Sequence, residues 1–326
     1  MKSFAYVNAA NQAEALASLS TERGKVLPLA GGMDLLGMMK DYIAQPDTLV
    51  NVKNLPSDIA VPAQGEITIG SAARLVDVSG HAALGDAFPA LVAAAGSVGT
   101  PQIRNLATVG GNLMQRPRCW YFRNEEFVCL KKGGSRCFAV DGENQFHAIF
   151  GDSPCHIVHP STMALPIIAY GGRIRVAGPD GEREVDSDRF YVMPDRNMYG
   201  ETVLETNELV TGVILPRSAN VKSAFHEVKF KQSHDWPAAV TAVALTMSGT
   251  TVQSARIVLG AVAPVPWRAR EAEALLKGQT VTEDLALQAA NAAVKNAKPM
   301  SQNAYKIQLA RVSLQRALLK AAGLKA

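Results

Sequence analysis

Cys119, Cys129, Cys137 and Cys155 are the only cysteines in a chain of 326 residues, and all four fall in one stretch. Thiols grouped in this way can form disulfides, hold zinc, or hold an iron–sulfur cluster. Disulfides fit poorly. The chain opens Met1-Lys2-Ser3-Phe4-Ala5-Tyr6 with no apolar leader and no twin-arginine pair, so it carries no export signal of its own. Structural zinc usually shows Cys pairs two to four residues apart, and no such pair occurs here. A cluster held by four thiolates is the third option. Arg116, Arg118, Arg123, Lys131, Lys132 and Arg136 crowd the same stretch. A four-thiolate cluster is net negative, and such cations would offset it. The surroundings therefore favour iron–sulfur, with zinc, and inert thiols on a solvated basic loop, as the alternatives.

Two glycine-rich segments could hold an anionic cofactor. In Leu27-Pro28-Leu29-Ala30-Gly31-Gly32-Met33-Asp34-Leu35 a strand runs into two glycines and then a helix. The N–H groups at that helix start could face a phosphate or pyrophosphate. Taken alone, Gly-Gly there is more often a plain turn. The second segment, Gly99 to Leu113, offers a hydroxyl, two glycines and an amide between Thr108 and Asn112. Such groups can bond ribityl hydroxyls and phosphate oxygens. Neither segment is a G-x-G-x-x-G or P-loop pattern, which disfavours an ordinary nicotinamide or ATP site.

Other side chains offer less. His147, His156 and His159 lie near the cysteines, and each is more simply a packing or surface histidine than a ligand. Trp120 and Trp236 read as packing or interface residues. No nucleophile–base pair or catalytic carboxylate pair stands out, as expected where a bound cofactor does the chemistry.

The elements that must position these groups form three units. Residues 1–56 read as a β-α-β unit. It has a helix over Ala13–Ser20 and a strand over Val26–Leu29. A helix over Asp34–Tyr42 follows, with Leu35, Leu36, Met39 and Tyr42 on one side, and then a parallel strand over Thr48–Val52. Residues 57–215 form the second unit. A strand over Ile67–Gly70, a helix over Leu75–Leu84 and a helix from Pro89 lead into the glycine-rich region. The stretch 115–159 has little periodicity, and a loop that long must be functional or pinned. Strand character returns over Ile167–Ala177, with a turn at Gly178–Gly181. Residues 216–326 begin with strands Val240–Met247 and Val252–Leu259 paired around Ser248-Gly249-Thr250-Thr251. Helices follow over Ala269–Leu276, Thr282–Asn296 and Tyr305–Ala322. The fold class is α+β.

Composition sets outer bounds. Hydrophobic residues make up 48% and charged residues 19%, an ordinary globular balance. The net charge of +4 comes with no aromatic-interleaved basic stripe, so nucleic acid is not an expected partner. No run nears the roughly 18 apolar residues of a membrane span.

These residues resemble a known family. Ala30-Gly31-Gly32-Met33-Asp34-Leu35 is similar to an Ala-Gly-Gly-Thr-Asp-Leu flavin loop. Gln102-Ile103-Arg104-Asn105 followed by Ala107-Thr108-Val109-Gly110-Gly111-Asn112 is similar to a second flavin motif, and Ile69-Gly70-Ser71-Ala72 and His81 also match. The family is the FAD-binding subunit of molybdenum hydroxylases, which includes xanthine dehydrogenase and carbon monoxide dehydrogenase, and the resemblance runs over essentially the whole chain.

The resemblance implies a two-part FAD-binding domain and a C-terminal α+β domain of antiparallel sheet and helices. It implies FAD between the first two units, with residues 27–35 around the pyrophosphate. Thr108 and Asn112 would bond the cofactor, Gly110 and Gly111 would let the chain pass close, and Val98, Gln102, Ile103 and Thr162 would lie nearby. Three positions depart from the family. Met33 stands where Thr is usual, Thr162 where Asp is usual, and Glu227 where Lys is frequent; Lys229 or Lys231 could substitute for that Lys. Gln115-Arg116-Pro117-Arg118-Cys119-Trp120, Cys129, Gly134-Ser135-Arg136-Cys137 and Cys155 before His159-Pro160-Ser161 resemble a branch whose flavin subunit carries an extra [4Fe-4S] cluster. The implied partners are a large molybdenum-cofactor subunit, a small [2Fe-2S] subunit and an external electron acceptor. A self-contained flavin oxidase and a zinc-stapled binding protein are the competing readings. Substrate is not encoded in this chain. The expected compartment is cytoplasmic, or periplasmic if the chain is exported folded with a signal-bearing partner.

Overall fold

Short apolar runs bounded by glycine build the first sheet. In the computed structural model, which describes residues 1–217, 219–232 and 234–325, β1 (Ala5–Val7), β2 (Val26–Leu29) and β3 (Thr48–Asn51) form a parallel sheet in the order β1-β3-β2. Helix Gln12–Ala17 links β1 to β2, and helix Leu35–Lys40 links β2 to β3. Asn11 caps the first helix by accepting from the Glu14 N–H, while the Glu14 carboxylate accepts from the Ala10 N–H. That reciprocal pair defines the helix start. The second helix ends earlier than its apolar spacing predicts. Tyr42 lies past the end, at φ 55° and exposed, while Met38 and Met39 are buried.

The second sheet is antiparallel. β4 (Ile59–Ala60), β5 (Ile67–Gly70), β6 (Arg173–Gly178), β7 (Gly181–Asp186) and β8 (Leu209–Leu215) lie in the order β4-β5-β8-β6-β7. Two expectations are corrected here. The helix expected over Leu75–Leu84 is two helices, Leu75–Ser79 and Ala82–Ala87. Gly80 ends the first, and His81 Nδ1 caps the second by accepting from Leu84 N–H. The strand expected from Ile167 begins only at Arg173; Ala164–Ala169 is a helix whose six residues are all buried. An apolar run buried on every side carries no periodicity, so spacing cannot distinguish the two states.

The third unit carries β9 (Val221–Val228), β10 (Ala239–Ser248), β11 (Thr251–Gly260) and β12 (Trp267–Arg268) in the antiparallel order β12-β11-β10-β9. Gly249 turns the β10–β11 hairpin at φ 60°. Helices Arg270–Leu276, Glu283–Val294 and Tyr305–Ala322 follow. Their alanine faces (Ala286, Ala289, Ala290, Ala310, Ala317) pack into one core with Val243, Leu245, Ile257 and Leu259 of the sheet. Small side chains let helix and sheet approach closely without cavities.

The stretch 115–159 stays largely irregular, with one turn of helix at Trp120–Arg123 and a 3₁₀ turn at Leu130–Lys132. It is pinned at its far end by residues 301–306. Asn303, fully buried, donates to the carbonyls of His147 and Ala148, and Gln302 N–H donates to Asn144 Oδ1. Lys306 Nζ, also buried, donates to the carbonyls of Phe146, His147 and Ala261. No helix among the described residues is long and apolar enough to cross a membrane.

Candidate functional site

The two glycine loops face each other across a cleft of about 910 Å³. Leu27, Pro28, Ala30, Gly31, Gly32, Met33, Asp34 and Leu35 line one side, and Val98, Ile103, Thr108, Gly111, Asn112 and Thr162 line the other. Leu29, Gln102 and Gly110 do not line it. A Cβ on Gly110 would meet Ser71, so that glycine serves packing against the end of β5.

Each loop glycine has its own reason. A Cβ on Gly31 would lie 2.0 Å from the Leu106 carbonyl oxygen, so the two loops can touch only if position 31 is bare. Gly32 sits at φ 74°, in the left-handed region that disfavours a side chain. Thr100 caps helix Pro101–Leu106 and Thr108 caps helix Val109–Leu113. Thr108 Oγ1 accepts from Gly111 N–H at 3.1 Å, so its oxygen is partly engaged while its hydrogen is free to donate. Asn112 Oδ1 accepts from Ser161 Oγ at 2.8 Å and from Met163 N–H at 3.3 Å, which ties the second loop to residues 161–163.

The cleft carries polar groups that await a partner. Thr162 Oγ1 and Glu227 Oε2 line it, are buried, and make no hydrogen bond. Glu227 Oε1 pairs with Lys229 Nζ at 2.5 Å, and Lys229 also donates to the Ser97 carbonyl. Lys229 thus brings a cation to this wall of the cleft, while Lys231 does not line it. A partly apolar cleft with convergent polar groups and glycine-walled approaches fits a dinucleotide-sized cofactor such as FAD.

Cys119, Cys129, Cys137 and Cys155 meet at one small cavity of about 10 Å³, lined also by Tyr121, Phe122, Leu130, Lys131, Phe138, His147 and Ile157. All four are free thiols. Burial pushes the Cys119 thiol up to about 11 and the Cys155 thiol up to about 12. Thiols so buried ionise only when a cation or metal compensates. His147 Nε2 lies 3.2 Å from Cys119 Sγ. Burial, followed by the charge of Lys306, pushes the His147 imidazole down to about 4. His156 is half-buried, and His159 packs on Tyr191 with ring centroids 4.3 Å apart.

The cavity and the cleft share a wall. Phe122 and Lys131 line both. Asp34, at the start of the helix after the first glycine loop, pairs with Arg118 at 2.7 Å and Arg123 at 2.6 Å. Its other oxygen accepts from Arg116 N–H at 2.8 Å. Glu201 pairs with Arg116 at 2.6 Å and with buried Lys131 at 2.8 Å. Burial pushes the Glu201 carboxyl up, but Arg116 and Lys131 outweigh that and hold it below its ordinary value. The basic residues of the cysteine stretch are therefore largely fixed by two carboxylates. Glu201 was not among the residues singled out in the sequence, since nothing local marks it.

Residues 2–218 match the family described as the FAD binding domain in molybdopterin dehydrogenase, and residues 223–321 match the CO dehydrogenase flavoprotein C-terminal domain. The chain belongs to the FAD-binding subunits of the molybdenum hydroxylases. Among the relatives of this FAD-binding subunit is the Escherichia coli aldehyde oxidoreductase FAD-binding subunit PaoB, 32% identical over 98% of this chain and 99% of its own length. The carbon monoxide dehydrogenase medium chain of Hydrogenophaga pseudoflava is 28% identical over 88% of this chain and 84% of its own. A solved structure of carbon monoxide dehydrogenase from that organism superposes with a TM-score of 0.76, covering 98% of this chain and 97% of that one at 28% identity. The reconstituted enzyme from Oligotropha carboxidovorans gives 0.76 at 26% identity, covering 99% of each chain. The FAD-binding subunit thus shares both its two-part flavin domain and its C-terminal domain with these proteins.

Proposed function

We propose that this FAD-binding subunit passes electrons from partner subunits to an external acceptor, and that its four cysteines hold a [4Fe-4S] cluster. The cleft residues 27–35 would surround the pyrophosphate, with Thr108, Asn112 and Thr162 bonding the rest of the cofactor. Bound FAD would supply the redox chemistry, while the chain orients it and shields it from water. The observation that carries the cluster assignment is the meeting of all four cysteines at one cavity that shares a wall with the flavin cleft.

Two features support a cluster over a single zinc ion. Tetrahedral zinc at about 2.3 Å from each sulfur requires the ligands to crowd one point. Among the described residues no three His, Cys, Asp or Glu side chains are grouped closely enough for one metal ion. A four-iron core would bind the same thiolates with a wider spread, and Lys131 with the fixed arginines would offset its charge.

The relatives are named as subunits or chains of multi-part enzymes, such as the medium chain of carbon monoxide dehydrogenase. On that likeness the partners are a large molybdenum-cofactor subunit and a small [2Fe-2S] subunit. The test is spectroscopic and enzymatic. Anaerobically purified chain should show flavin bands with a broad iron–sulfur shoulder, and it should oxidise no aldehyde until both partners are added. Substrate turnover by the molybdenum-free chain alone would overturn the electron-transfer reading. One zinc and no iron would overturn the cluster.

A further inference from the structure

Lys306 is a buried cation with no anion beside it. It lies in the first turn of helix Tyr305–Ala322 and is 1% exposed. Its Nζ donates to three backbone carbonyls: Phe146 at 3.1 Å, His147 at 3.0 Å and Ala261 at 2.5 Å. Among the described residues no carboxylate pairs with it, and burial alone pushes its amine down to about 7. The other buried lysine near the cysteines, Lys131, differs: it pairs with Glu201 at 2.8 Å. An ammonium taken out of water without a counter-charge is costly. The backbone is strained at the same point. Ala261 sits at φ 60°, a left-handed conformation that a residue with a Cβ adopts at a cost, and its carbonyl makes the shortest of the three bonds.

The cysteines lie one contact further on. Lys306 holds the His147 carbonyl, and His147 Nε2 lies 3.2 Å from Cys119 Sγ. Lys306, His147 and Cys119 line one space of about 180 Å³. His147 and Cys119 also line the cavity where the four cysteines meet. With Cys119 as a thiolate, Nε2–H of the neutral imidazole donates to its sulfur.

We propose that Lys306 sets the reduction potential of the cluster at the four cysteines, its fixed positive charge favouring the reduced form. The inference rests on the cluster reading above. Potential follows net charge and the hydrogen bonds around the sulfurs. Reduction takes one electron from a donor and adds one negative charge at the cysteines. No proton has to move, because the compensating cation is already in place. In a low-dielectric interior a charge acts more strongly than it does through water. Lys131 shares its charge with Glu201, whereas that of Lys306 is unshared.

The experiment compares the flavin-loaded full chain, purified anaerobically, with Lys306→Met and Lys306→Gln. Methionine fills the space without charge or donors. Glutamine removes the charge but keeps N–H donors for the carbonyls. Iron per chain shows whether the cluster is present. The EPR signal of the reduced cluster, followed at stepped potentials with dithionite as reductant, gives its midpoint without any substrate. Both variants should reduce at lower potential, with a reduction equilibrium constant roughly tenfold smaller, or about 59 mV for one electron. Midpoints equal to that of the unmodified chain in both variants would overturn the proposal. A drop in Lys306→Met alone would overturn it too, because donation to the carbonyls and not charge would then be responsible. Iron lost from both variants but present in the unmodified chain would assign Lys306 to cluster retention and overturn the role proposed. An unmodified chain without iron would instead overturn the cluster reading itself.

Discussion

Asp34 pairs with Arg123 at 2.6 Å, and through this contact the first glycine loop grips the cysteine stretch 89 residues further along. Both side chains are only 16% exposed, so the pair is screened little by solvent. The same carboxylate holds Arg118 and the Arg116 backbone. Asp34 is thus a shared anchor of both proposed cofactor sites.

Asp34→Asn should weaken both sites together. Hydrogen bonds to a charged group contribute about 1.5–3 kcal/mol each, and the amide keeps some of them, so a net loss of about 2 kcal/mol is expected. The urea midpoint, flavin content and iron content should all fall in the purified variant. An unchanged midpoint with full flavin and iron would remove Asp34 from this role.

The loop glycines should differ in how they fail. Gly31→Ala drives a methyl into the Leu106 carbonyl, so the loops must separate and flavin should be lost. Gly32→Ala meets only the end of Leu36 but sits at φ 74°, and should cost about 1–2 kcal/mol while retaining part of the flavin. Flavin absorbance per protein, measured after gel filtration, ranks the two.

The cysteines should act as a set. Cys129→Ser and Cys137→Ser should each lower iron per chain and make residues 115–159 more accessible to protease, because that stretch is largely irregular, with one turn of helix and one 3₁₀ turn to hold it. Iron at the wild-type level in both variants would exclude these two thiols as ligands.

Acid should destabilise the protein through His159. Burial pushes its imidazole down to about 4, below the ordinary 6.5. Between those values the unfolded chain binds the proton and the folded chain does not. Stability from this group is therefore full above about 6.5 and declines as pH falls toward 4, by up to about 3 kcal/mol. Urea midpoints measured at pH 7 and pH 4.5 should converge in His159→Leu relative to the unmodified chain. An equal acid loss in both would assign the effect elsewhere.

Sequence spacing made much of this readable. The Ser248-Gly249 turn between two apolar runs marks the β10–β11 hairpin, and Tyr305–Ala322 shows its helical face directly. The helix Ala164–Ala169 was hidden because all of its faces are buried. The grouping of the four cysteines was visible as a run in the chain, whereas Glu201 and Asn303 were not. Their partners lie 70 or more residues away, and no local pattern encodes a contact of that range. Lys306 reads in sequence as an ordinary surface cation of a helix, yet it is buried against three backbone carbonyls.

That last contact bears on the order of events during synthesis. Asn303 and Lys306 emerge from the ribosome 155–160 residues after residues 146–148, whose carbonyls they hold. Until helix Tyr305–Ala322 has emerged and docked, the segment carrying His147 next to Cys119 lacks these contacts. Any group held at the four cysteines would therefore meet a cavity completed only once residues 303–306 are in place, after the flavin domain has been synthesised.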